Sequence, residues 1–137
     1  LGFEDAVREA GLTIVTSQSA SWDQTKAAQI TSAILSQHPD LDVILASNDN
    51  MALGAASAVK LANLDQQVTI AGFDNISAIH PLIRAGSVAA TVDQFGDRFA
   101  VFGIELALDA LSGDKNLADK QTPVELITID ELGAAAD

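Results

Sequence analysis

Cysteine is absent from all 137 residues, which excludes disulfides, thiolate catalysis and cysteine-based zinc sites. That absence names no compartment, since secreted and cytosolic domains alike can lack the residue. Basic residues are scarce: Lys and Arg total 7 against 19 Asp and Glu, for a formal charge of −12. They are scattered from Arg8 to Lys120 and form no patch, so this segment is not expected to bind nucleic acid or anionic lipid. No apolar run approaches the ~20 residues needed to span a bilayer. Leu1 follows neither a basic nor an apolar leader segment, so no signal peptide is expected within the sequence. Tryptophan occurs once, at Trp22.

Hydrophobic residues make up 48% of the chain and charged residues 19%, as in a well-packed globular domain. The length suits a single domain with one core. Phe3, Ala6, Val7 and Ala10 recur at helical spacing up to Gly11. Thr13 to Ser17 is β-prone and reads as a strand, and Gln18 to Ser21 as a polar loop ending at Trp22. A helix follows from about Asp23 to Gln37, with Ala27, Ile30, Ala33 and Ile34 on one face, and His38-Pro39-Asp40 breaks it.

Val43 to Ala46 is a continuous apolar run, as expected of a strand buried on both faces. It gives way to Ser47-Asn48-Asp49-Asn50 and then to a helix with Met51, Ala52, Ala55, Ala56, Val59 and Ala62 on its apolar face. Val68 to Phe73 reads as another buried strand, followed by Asp74-Asn75. A short helix over roughly Ser77 to Ala85 closes on Gly86 as a left-handed cap. Val88 to Val92 is a further strand ending at Asp93-Gln94. A long helix runs from Gly96 to Gly113, with Phe99, Phe102, Gly103, Leu106 and Ala110 on one face. Val124 to Ile129 reads as a last strand, and Gly133 to Asp137 as a loose tail.

The alternation of strands and helices predicts an α/β domain with a mostly parallel, doubly wound sheet covered by helices on both faces. Such a sheet normally opens on a strand, whereas this chain opens on a helix. A partial domain lacking its first strand is therefore expected.

In open parallel sheets ligands bind beyond the carboxyl ends of the strands. Those ends carry Trp22, Asn48, Asp74 and Gln94, which the topology brings towards one edge. Asn and Gln each offer a donor and an acceptor, and Asp accepts twice, which suits vicinal hydroxyls. An indole ring offers an apolar platform for the C–H face of a sugar. Plainer roles stand beside these. Asn48 or Asp49 can cap the following helix, with Asp49 the favoured cap; Asp74 reads equally as a cap or turn residue. Gln94 alone is unremarkable, and Trp22 sits in a Ser- and Gln-rich loop that is an unusual place for core filler. Convergence is what raises the binding role.

Reaction centres find little support. GxSxG, Walker and GxGxxG motifs are all absent. His38 and His80 have no ligand-spaced partners; His38 reads as a solvated helix end and His80-Pro81 as a turn or helix start. A phosphoacceptor receiver domain would want an early acidic pair and a lysine after its fifth strand, and the sequence offers no such lysine near Asp93-Gln94. No cofactor and no metal are expected.

Three strings, Ser47-Asn48-Asp49-Asn50-Met51-Ala52-Leu53-Gly54-Ala55, Ala71-Gly72-Phe73-Asp74 and Ala89-Ala90-Thr91-Val92-Asp93-Gln94, resemble those of type I periplasmic sugar-binding proteins. The ribose- and allose-binding branch is the nearest, and Gln18-Ser19-Ala20-Ser21-Trp22-Asp23 is similar to its aromatic loop. The order and spacing agree over nearly the whole chain.

This resemblance implies a flavodoxin- or Rossmann-like C-terminal lobe of a two-lobed clamp. Residues 1–93 would form that sugar-binding lobe, residues 94–121 the hinge and a crossover helix of the other lobe, and residues 122–137 the final strand and tail. Trp22 would stack on the sugar while Asn48, Asp74 and Gln94 bond its hydroxyls. The implied partners are a monosaccharide, the membrane permease of an ABC-type importer, and an N-terminal lobe not contained in this sequence. A periplasmic or extracellular location follows by the same analogy, with a lipid anchor ahead of Leu1 as one form.

The family's first strand of this lobe, and the arginine soon after it, are not in the sequence. A half-site lacks enclosure, so tight binding by this chain alone is not expected. The Phe99 and Phe102 face is expected to favour self-association. Trp22, a larger platform than Phe, tilts the choice towards a hexose. The rival is the effector-binding core of a LacI-type repressor, which shares the Asn-Asp-x-x-Ala-x-Gly and Gly-Phe-Asp motifs. The Ala-Thr-Val-Asp-Gln segment and the tail after Thr122 look more like transport proteins.

Overall fold

The computed structural model describes residues 2–113 and 118–133. In chain order the elements are α1 (Gly2–Glu9), α2 (Gln24–Gln37), β1 (Val43–Leu45), α3 (Asp49–Leu61), β2 (Thr69–Ala71), α4 (His80–Arg84), β3 (Thr91–Asp93), α5 (Gly96–Leu111), β4 (Glu125–Ile127) and α6 (Ile129–Leu132).

β1 pairs in parallel with β2, Ile44 opposite Ile70. A parallel bridge, Ala71 to Ala90, links β2 to the segment leading into β3. Three backbone bonds line that junction: Ala89 N to Ile70 O at 2.8 Å, Gly72 N to Ala90 O at 2.9 Å and Asp74 N to Val92 O at 2.8 Å. β4 then pairs antiparallel with β3, Val92 opposite Leu126. The strands thus lie in the order β1, β2, β3, β4, with the last reversed. The expected mostly parallel α/β sheet is present.

The core gathers Leu35 of α2, Ala52, Ala55, Ala56 and Val59 of α3, and Ile70 of β2. Ala46 and Val68, at the ends of β1 and β2, and Ile79, Ile83 and Val88 from the α4 segment complete it. Each large aliphatic side chain fully withdrawn from water contributes about 1.5–3 kcal/mol. α2 packs closely on α3 because α3 is built from small residues. A Cβ on Gly54 would collide with the backbone oxygen of Gln24 and press on Ala27. α2 starts at Asp23, whose Oδ1 accepts from Lys26 N at 2.7 Å. α4 ends in a Schellman motif, as Gly86 at φ 74° donates to Ile83 O and Ser87 N donates to Leu82 O.

Several expectations are corrected. Residues 13–17 join no ladder among the described residues, because no described strand lies beside them. β1 is not buried on both faces: Val43 and Leu45 are 41% and 37% exposed. It is an edge strand, and its alternate side chains point to a face that no described element covers. Ala62 and Ala33 are exposed; on α2 Ala27 is buried as expected, and Thr31 and Leu35 join it on the packing face. α4 starts at His80 rather than Ser77, with a turn before it. The last strand stops at Ile127, where Thr128 caps α6 in a capping box with Glu131. α5 forms as expected, yet none of its residues is buried. Of the expected tail, 134–137 lie outside the described residues.

Candidate functional site

The carboxyl ends of β1, β2 and β3 are bound into one edge by side chains as well as by backbone. Asp49 N donates to Phe73 O at 2.7 Å, which places the Asn48 loop against the Asp74 loop. The Asp49 side chain continues the tie. Its Oδ1 accepts from Thr91 Oγ1 at 2.7 Å and its Oδ2 from Ile76 N at 2.9 Å. Asp49 and Thr91 are both fully buried. Burial pushes the Asp49 carboxyl above its ordinary value, against the opposing pull of the Thr91 hydroxyl and the Ile76 amide. Negative charge on nearby Asp74 adds to the rise. This knot also explains Gly72, where a Cβ would run into Asp49 Oδ1.

The cap of α3 is therefore Asn48, not the favoured Asp49: Asn48 Oδ1 accepts from Met51 N at 2.9 Å. Asp49 occupies the first helical turn and turns inward to β3. Asn48 is 8% exposed, and its amide nitrogen has no partner among the described residues, leaving a donor for an incoming group.

Asp74 and Gln94 are brought together directly, Gln94 Nε2 donating to Asp74 Oδ1 at 2.7 Å. Asp74 Oδ2 and Gln94 Oε1 have no partner among the described residues. The pair thus offers adjacent acceptors at the sheet edge. Asp74 adopts φ 112° and Asn75 φ 54°, backbone values that L-residues rarely take. Ser21, Trp22 and Phe95 also have positive φ, at 53°, 62° and 52°. Among the described residues, five of the six non-glycine residues with positive φ, all but Asn63, thus lie in the loops singled out from sequence. Such outliers persist only where the surroundings over-determine them.

Trp22 stands apart. It is 65% exposed, in a loop held by Asp23 N donating to Ala20 O at 3.1 Å and by Lys26 Nζ donating to Ser21 Oγ at 2.8 Å. No hydrogen bond ties its ring to Asn48, Asp74 or Gln94. Core filler is thereby excluded for it. A hollow of about 180 Å³ by Asp65, Gly86 and Ala89 and another of about 360 Å³ along α5 do not include these residues. The edge is an open wall. Among the described residues no cluster of His, Asp or Glu is arranged to hold a metal. No described helix is long and apolar enough to cross a membrane.

An α/β sheet with polar side chains at its strand ends is the build of a small-molecule-binding lobe, and the chain belongs to the periplasmic binding protein domain family, which matches residues 1–115. Among relatives, it is 49% identical over 131 residues to the D-ribose/D-allose-binding protein of Pseudomonas aeruginosa, covering 93% of this chain and 41% of that protein. It is 35% identical to a ribose import binding protein of Haemophilus influenzae, covering 95% of this chain and 43% of that one. Its fold superposes on a solute-binding protein of an ABC transporter from Burkholderia multivorans with a TM-score of 0.84 at 43% identity, over 93% of this chain and 45% of that one. The Caulobacter myo-inositol binding protein gives a TM-score of 0.87 at 34% identity, over 96% and 46% of the two chains. The chain thus spans less than half the length of each of these proteins. All four are binding proteins by name.

Proposed function

We propose that this chain is the C-terminal portion of the substrate-binding component of an ABC-type monosaccharide importer, binding a pentose or hexose without chemistry. The observation that carries the reading is the Asp74–Gln94 pair at 2.7 Å, set beside the free amide nitrogen of Asn48. Adjacent acceptors and a donor on one edge match vicinal hydroxyls, which donate and accept in turn. Trp22 supplies the stacking platform. Named relatives bind ribose and allose, and a solved neighbour holds myo-inositol, so cyclic polyols are the consistent theme.

On this reading residues 1–93 are the sugar-binding lobe and residues 94–121 the hinge and the crossover helix of the other lobe. Residues 122–137 return as the final strand and tail. The exposed apolar face of α5 is then covered by the other lobe, and drives self-association when uncovered. The permease is the macromolecular partner, and the periplasm or the outer cell surface the location.

Calorimetric titration of the full-length protein with D-ribose, D-allose and myo-inositol tests the site. Trp22→Ala and Asp74→Ala are each expected to abolish measurable binding. Wild-type affinity in either variant removes that residue from the site. A time course should show every sugar recovered unchanged, and turnover would overturn the reading.

A further inference from the structure

Alongside the Asp74–Gln94 pair runs a second pair, made by their chain neighbours. Asn75 Nδ2 donates to Asp93 Oδ2 at 2.9 Å, and Asp93 Oδ1 accepts from Phe95 N at 2.7 Å. Asn75 Oδ1 meets His80 Nε2 at 2.8 Å. A carboxylate only accepts, so the Asn75 amide must present its NH2 to Asp93 and its carbonyl to His80, and His80 donates from Nε2. The Asn75 backbone is held as well, its N donating to Thr91 Oγ1 at 3.2 Å. Every polar atom of the Asn75 side chain is thus committed within the protein, whereas Asp74 and Gln94 each keep an oxygen free.

We propose that Asn75 is a positioning residue: through Asp93 and His80 it forms a clasp that holds Asp74 and Gln94 in register for the ligand. This inference rests on the sugar-site reading of those two residues. The need for a clasp is visible in the backbone. Asp74 at φ 112° lies in a conformation that holds only under constraint, and Asn75 at φ 54° is in the left-handed region that Asn accepts more readily than most residues. Gln94 is exposed and has several rotatable bonds, so ordering it for a ligand costs entropy unless its neighbourhood is fixed beforehand. The clasp also spans the turn between β3 and α5, because Asp93 holds both Asn75 and the amide of Phe95, the residue preceding α5. One polar chain, His80–Asn75–Asp93–Phe95, thereby joins the site to the exit of the chain towards α5.

The test exchanges the partners. Asn75→Asp sets two carboxylates face to face and breaks the clasp, while Asn75→Asp with Asp93→Asn restores one amide donor facing one carboxylate acceptor. Aspartate tolerates the left-handed backbone much as asparagine does. Titration of the full-length protein with D-ribose, D-allose and myo-inositol is paired with the side-chain amide signals of Gln94 in a ¹H–¹⁵N spectrum. Asn75→Asp should weaken sugar binding about ten-fold or more and shift the Gln94 signals. The exchanged double variant should restore both.

Unchanged affinity with unmoved Gln94 signals in Asn75→Asp overturns the clasp, as does a loss that the exchange fails to rescue. If the unaltered protein binds none of the three sugars, the sugar-site reading fails by itself. The Gln94 signals then decide the clasp alone: shifted by Asn75→Asp and restored by the exchange they support it, unmoved they refute it. Should Asn75→Asp not fold, Asn75→Gly takes its place, since glycine adopts φ 54° freely. Its loss of affinity and Gln94 shift carry the same meaning.

Discussion

Two helices of the same chain make opposite use of apolar residues. α3 (Asp49–Leu61) buries seven residues, among them an aspartate, a glycine and four alanines. α5 (Gly96–Leu111) carries Phe99, Val101, Ile104 and Leu108 and buries nothing, each of those four being more than half exposed. Apolar content therefore does not decide burial; a partner surface of matching shape does. Small residues let α3 sit close to α2, and a charged residue at its first turn pins it to β3. α5 has neither device. Phe95, ahead of it, has a left-handed backbone and makes no side-chain cap. Its amide is held by Asp93.

The contrast breaks first at the pin. Asp49→Ala leaves the buried Thr91 hydroxyl and the part-buried Ile76 amide without their acceptor, at about 2 kcal/mol each. A loss of about 4 kcal/mol in urea denaturation is expected, enough to unfold a marginal domain. A loss below about 1 kcal/mol would mean that water reaches these donors and that the knot is not what fixes α3.

The same substitution at two glycines tests the role of fit. Gly54→Ala drives a methyl group into the Gln24 backbone and should cost about 2–3 kcal/mol through overpacking. Gly103→Ala meets nothing within 4 Å and should stabilise by up to about 1 kcal/mol, from helix propensity alone. Opposite signs in urea midpoints support the comparison. Equal losses would show that α5 is packed in solution.

Much of this was legible beforehand, for reasons that particular residues make plain. The apolar runs at Val43 and Val68, each followed by polar residues, announced strands and placed Asn48 and Asp74 at their ends. Gly86 announced its cap, since only a left-handed residue closes that helix. Asn48 and Asp49, adjacent and both able to cap, could not be told apart. What separates them is Thr91, 42 positions from Asp49, a partner supplied only by the folded sheet. The Asn75–Asp93 pair is not legible for the same reason, its members lying 18 positions apart. Thr13–Ser17 has strand composition without a ladder, because strand propensity has no effect without a partner edge. α6 was readable: Thr128-Ile129-Asp130-Glu131 has the capping-box spacing, which the apolar run before it concealed.

The smallest expected effect contrasts two carboxylates. Burial raises Asp49, so whatever stability its titration adds is present in acid and lost as pH rises through its folded pKa. Glu131 is the reverse. Bonds from the Thr128 hydroxyl and amide hold its carboxyl below its ordinary value of 4.5, so its contribution is present above that value and lost as pH falls through the lowered one. Thr128→Ala removes the hydroxyl bond but leaves Asp49 untouched, so the Asp49 contribution cancels between the two proteins. The stability difference between wild type and Thr128→Ala should therefore be fully developed at neutral pH and shrink in acid below 4.5. A difference that stays constant down the acid range would mean that the hydroxyl of Thr128 caps α6 without help from the Glu131 charge. That would set α6 apart from α5, where the Asp93 carboxylate holds the amide of Phe95 just ahead of the helix.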